Sequence, residues 1–120
     1  MRFLCIYKPA AAEGAPPTPE EMAKMGPFME ESFKSGVLLA AEGCMPSALG
    51  SRVRLTEGTF TVTDGPFTEA KELICGMAII NAASRQEAIE YTKRFLDVAG
   101  DGVTEIRQLH EVPVLDTVNA

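Results

Sequence analysis

Apolar positions along this chain change period from segment to segment, and each period predicts an element. Residues 2–8 run apolar without a breaker and predict a first strand. Residues 9–18 (PAAAEGAPPT) are small and Pro-rich and predict a loop. Thr18-Pro19-Glu20-Glu21 then carries a helix start, with Thr18 as N-cap, Pro19 in the first helical position and Glu21 at the third. Met22, Met25, Met29 and Phe33 follow at spacings of three, four and four, which is one helical face. Gly26-Pro27 interrupts that helix, and a kink is expected because proline clashes with the Ala23 carbonyl. Ser35-Gly36 ends it.

Val37–Ala41 predicts a second strand that closes at Glu42-Gly43. Arg52–Leu55 and Thr59–Thr63 alternate around Glu57-Gly58, a hairpin signal, and Asp64-Gly65-Pro66-Phe67 is a turn. Leu73–Ala82 is apolar on both parities, so that strand must be covered on both faces. Ser84-Arg85-Gln86-Glu87 is a capping box opening a second helix. Its expected buried stripe is Ala88, Ile89, Thr92, Phe95, Leu96 and Ala99, and Gly100-Asp101-Gly102 stops it. Val103–Val112 is the last strand, and residues 113–120 are a tail.

The order is βαβ, hairpin, βαβ. With the hairpin set aside it predicts an α+β fold, the ferredoxin-like βαββαβ arrangement with an inserted β-hairpin. Two helices cover one face of a four-stranded sheet. The two-faced strand at 73–82 then needs a lid that the chain does not supply. A second copy of the protein is the economical lid, so a homodimer packed sheet to sheet is expected.

Composition narrows the partners. The 120 residues read as one domain over 1–120, with 46% apolar and 23% charged residues. The net charge of −6 runs against nucleic acid and anionic membranes as partners. No uncharged run approaches the ~20 residues of a membrane span, and the first strand is too short for a signal-peptide core. The cysteines Cys5, Cys44 and Cys75 form no C-x-x-C pair and His110 stands alone, so neither a zinc site, a disulfide framework nor any cofactor is expected. Free thiols without an export signal point to the cytoplasm.

One segment is more specific. Asp64-Gly65-Pro66-Phe67-Thr68-Glu69-Ala70-Lys71-Glu72, with Gly76 a few residues on, resembles the D-G-P-F-x-E-x-K-E signature of the YCII-related (DGPF) family. The first strand, Ala41-Glu42-Gly43 followed by Pro46, the Arg52/Arg54 strand and Glu105-Ile106-Arg107 also sit where that family has them. The resemblance implies a dimeric, ferredoxin-like α+β barrel. Some members of the wider group resemble small-molecule lyases with a His–Asp pair in a barrel pocket. That pair has no counterpart here. The sole histidine lies in the last strand, and Ser35-Gly36 followed by apolar residues occupies the stretch of the aspartate.

The candidate chemistry rests on charged residues near the motif. Asp64 to Glu72 carry four charges where a turn needs one. They either serve the turn, with Phe67 as an anchor, or line a pocket mouth. There Asp64 or Glu72 is a base, Lys71 an anion contact and Phe67 an apolar contact. Arg52 and Arg54 share a strand face, as do Glu105 and Arg107. Arg107, on a strand expected to be central, either pairs with Glu105 or Glu42 or holds an anionic ligand. Glu42 ends an apolar strand and is a candidate general base if partly desolvated, or an exposed strand-end carboxylate otherwise. The first-helix methionines are adaptable core filling or a flexible pocket wall. Two function classes follow. One is a cofactor-free lyase or isomerase in which a carboxylate abstracts a proton from a small polar or anionic molecule held by arginines. The other is a non-catalytic dimeric binding or regulatory module.

Overall fold

The computed structural model describes residues 1–10, 17–67 and 74–111. Lys71, and with it the second half of the signature, lies outside them. The elements are β1 (Arg2–Pro9), α1 (Pro19–Lys34), β2 (Leu38–Gly43), β3 (Ser51–Thr56), β4 (Thr59–Asp64), β5 (Gly76–Asn81), α2 (Arg85–Ala99) and β6 (Gly102–Gln108), with one 3₁₀ turn at Ser47–Leu49.

The main sheet has the order β2-β5-β1-β6, with every neighbour pair antiparallel. Each helix therefore joins two parallel strands with a third strand between them, the split βαβ unit of ferredoxin-like α+β folds. The two-faced strand, β5, lies inside the sheet between β2 and β1, with its Ala78 and Ile80 face under the helices. The strand carrying Arg107 does not: β6 is an edge. An edge strand is half open to water, so a charged side chain there needs no buried partner.

Both helix starts form by side-chain capping. The Glu21 amide donates to Thr18 Oγ1 at 3.1 Å, and Thr18 Oγ1 donates back to the Glu21 carboxylate at 3.2 Å. The Glu87 amide donates to Ser84 Oγ at 3.1 Å. Helix α1 runs through Pro27 as one element. Its packed face is rotated from the methionine stripe, since Met22 and Phe33 are 59% and 48% exposed. Met25, Phe28, Met29 and Ser32 turn inward instead. Ser32 is buried because its hydroxyl is satisfied twice. It donates to the Phe28 carbonyl at 2.7 Å and accepts from the Tyr91 hydroxyl of α2 at 2.8 Å. The ring of Phe28 stacks on Tyr91 at 5.4 Å between centroids, joining the two helices.

The core lies between the helices and one sheet face. Phe3, Cys5, Leu38, Ile80, Ala82 and Ala88 are its buried apolar members. Register places Leu4, Ile6, Met77 and Ile79 on the opposite face, beside Glu105 and Arg107.

Strands β3 and β4 form a separate two-stranded sheet, an arm in which every residue is exposed. Its tip is Glu57-Gly58, both with positive φ (49° and 81°), as a two-residue turn matching strand twist requires. At its base the Gly65 amide donates to the Gly50 carbonyl at 2.9 Å. A Cβ on Gly65 would overlap the Ser47 carbonyl oxygen, which explains the glycine of the signature. The pairs Val53↔Val62 and Leu55↔Phe60 share one arm face, and Arg52 and Arg54 take the other with Thr63 and Thr61.

Candidate functional site

A cavity of about 320 Å³ opens between the sheet and the two helices. The sheet contributes Cys5 and Tyr7 from β1, Leu38, Ala41 and Glu42 from β2, Ala78 and Ile80 from β5, and Thr104 from β6. Met25 and Met29 come from α1, and Tyr91, Thr92 and Phe95 from α2, while Cys75 lies just before β5. The room exists because small residues, Ala41 and Ala78, stand where the sheet faces long, adaptable methionines. The edge of Tyr7 meets the Phe95 ring at 5.2 Å and 87°, which fixes one wall.

The wall is apolar with a few polar atoms. Burial, then the neighbouring acidic groups of Cys75, Glu21 and Asp101, push the Tyr7 hydroxyl above its ordinary range. At neutral pH it is therefore a neutral donor and no base. Burial likewise raises the Cys5 thiol, against a hydrogen bond with Thr92, so Cys5 is a thiol and not a thiolate. Burial raises Tyr91 too, tempered by its Ser32 hydrogen bond and by Arg94. Thr104 Oγ1 is buried and has no hydrogen-bond partner among the described residues. A buried hydroxyl left unpaired costs about 1–3 kcal/mol, so this atom is open to a bound group. Among the described residues no Lys or Arg lines the cavity.

The residues singled out from the sequence do not converge on this cavity. Glu42 borders it on β2, but the register pairs Glu42 with Met77, so its exposed side chain belongs to the open sheet face. Asp64, at the end of β4, accepts from Ser51 Oγ at 2.8 Å and ties the base of the arm. The Arg52 guanidinium lies 4.1 Å from the centroid of the Phe67 ring, a cation–π contact that joins arm and turn. Arg54 is exposed on the arm. Arg107 Nε donates to Glu105 Oε2 at 2.8 Å, with Lys8 Nζ 3.6 Å from the same carboxyl group. Hydrogen bonding and charge from Arg107, then Lys8, hold Glu105 below the usual carboxylate range. His110 is exposed, and its carbonyl accepts from Arg2 at 3.2 Å. The described signature residues, Asp64 to Phe67, therefore close the arm and form its root, and the cavity is built by residues the charge pattern passed over. Tyr7 and Thr104 had one usable signal, strand parity, since each shares a parity with an inward apolar residue, Cys5 and Ile106.

The sequence profile of the YCII-related domain matches residues 1–113. The chain belongs to the YCII-related domain family. A relative with 27% identity over 89 residues, spanning 73% of this chain and 72% of its own length, is an uncharacterized protein of Rhizobium meliloti (strain 1021). In this YCII-related domain no helix among the described residues is long and apolar enough to cross a membrane.

Proposed function

We propose that this YCII-related domain binds a small, neutral, largely apolar molecule carrying a hydrogen-bond acceptor, in the cavity between sheet and helices. The observation that carries this reading is the unpaired Thr104 hydroxyl in an otherwise apolar cavity whose other donor is Tyr7. The volume matches the lower end of the range of small-molecule sites, roughly 300–1,000 Å³. The lack of a cationic side chain among the described lining residues favours a neutral ligand over an anionic one. The Tyr7 hydroxyl, on the cavity side of β1, is a second donor to an acceptor of that ligand.

A thermal-shift screen of neutral phenols and ketones beside matched organic acids tests the binding. The neutral compounds are expected to raise Tm, and Ala78→Leu, which fills the cavity, is expected to abolish the shift. Hits confined to the acids, or hits that survive Ala78→Leu, overturn it.

A second reading has its own support. Val53, Leu55, Phe60 and Val62 form an apolar stripe on the arm, each 60–69% exposed. The open sheet face adds Leu4, Ile6, Met77 and Ile79. Surfaces of this kind favour a homodimer, with the arm and sheet of one copy packed on the other, so the dimer itself is a candidate regulatory surface. A reducing cytoplasm fits the three free thiols.

A further inference from the structure

The chain leaves the main sheet at the end of β2 and returns at the start of β5. The whole excursion, arm included, passes through one neck. Cys44 and Cys75 stand on its two sides, immediately beyond the last registered pair, Gly43↔Gly76. The Cys44 amide donates to the Cys75 carbonyl at 2.7 Å, and the Cys75 amide donates to the Tyr7 carbonyl of β1 at 2.9 Å. The Cys75 amide turns to β1, so the two cysteines share one bond and not the exchanged pair of a regular ladder; one such bond keeps their Cα atoms roughly within the 4.4–6.8 Å that a disulfide spans. Both thiols are exposed, whereas Cys5 is buried in the core. The flanking residues are glycines: Gly43 has open space where a Cβ would stand, while Gly76 lies close against the Glu42 carbonyl, which holds the two sides of the neck together.

We propose that Cys44 and Cys75 are a redox clasp, a dithiol that closes to an intramolecular disulfide across the neck of the arm. The co-reactant is a small disulfide of the glutathione type. One thiol loses its proton, and its thiolate attacks the small disulfide, forming a mixed disulfide and expelling one thiolate. The second thiol, deprotonated in turn, attacks the protein sulfur of that mixed disulfide. The protein disulfide forms and a second small thiolate leaves. Two protons and two electrons leave the protein, and the small disulfide is reduced to two thiols. Because Cys75 also lines the cavity, closure pins one edge of its mouth to β2. It also closes the chain between the two cysteines into a covalent loop, which restricts the unfolded chain.

The full chain is incubated in oxidised glutathione, quenched with acid, alkylated under denaturing conditions and weighed intact. Closure predicts one alkylatable thiol where the reduced protein has three, no glutathione mass, and a Cys44–Cys75 linked peptide after digestion. It also predicts a rise in Tm of roughly 5–15 °C that dithiothreitol reverses. Cys44→Ser and Cys75→Ser should each stop at a stable glutathione adduct on the remaining partner, while Cys5→Ser should still close. Adducts on both cysteines of the wild type, cross-linked chains on a non-reducing gel, or three thiols left reactive would each overturn the clasp.

Discussion

At the scale of single residues, the cavity and the core differ in how they treat buried hydroxyls. Ser32 is paired on both sides, and Thr104 is not. Ser32→Ala leaves the Tyr91 hydroxyl without its acceptor, and we expect a loss of about 1–2 kcal/mol in urea unfolding. Adding Tyr91→Phe should recover part of it, because the stranded hydroxyl is then gone. Thr104→Val removes an unpaired hydroxyl and keeps the shape, so stability should hold or rise by up to about 1 kcal/mol while binding of the neutral ligand weakens. A Thr104→Val protein that unfolds more easily would mean that the hydroxyl serves the fold. Glu105 sets the pH dependence expected of the open sheet face. Its folded pKa is depressed by Arg107, so its contribution is present above the unfolded carboxylate range near 4.3 and is lost as pH falls through the lower folded value. Tm should therefore decline between about pH 5 and pH 3, with a shallower slope in Arg107→Ala.

Among elements, the arm is the part whose local geometry is legible and whose purpose is not local. Its two-residue turn, its alternation and the glycine at its root all follow from short-range sterics. Gly65→Ala places a methyl group on the Ser47 carbonyl, and backbone cannot give way as a side-chain end can. Proteolysis within the 44–75 excursion should become faster in that variant. The helix-to-sheet core, which shares no close contact with Gly65, should keep its far-UV circular dichroism. The methionine face of α1 marks the opposite case. Periodicity located the helix, yet the inward face is set by Tyr91 and Phe95 on α2, to which Phe28 and Ser32 turn.

For the molecule as a whole, dimension and exposure point the same way. The radius of gyration is 16.8 Å, against about 13–14 Å for a compact chain of this length. The arm forms its own two-stranded sheet and carries apolar side chains in water. Gel filtration is expected to show a particle near twice 12.9 kDa. Phe60→Asp, which places a charge in the apolar stripe, should shift it to one. A monomer for the wild type at micromolar concentration would sink the sheet-to-sheet dimer.

Much of this was written in local sequence. The caps at Thr18 and Ser84, the α+β order, the two-faced central strand and the turn at Glu57-Gly58 depend on neighbours a few residues away. Periodicity and turn chemistry therefore report them. The site does not depend on neighbours of that kind. Thr104 is unpaired and Tyr7 faces a cavity only because β1, β2, β5 and β6 assemble in a non-sequential order with both helices on one face. The charges that drew the eye in the sequence, Asp64, Arg52, Arg54 and Arg107, are spent on the arm, its root or an edge strand, where water or a near neighbour satisfies them. Sequence determined the elements because their forces are short-ranged. The cavity waited on tertiary structure because it is space left between elements, and no stretch of chain encodes a space on its own.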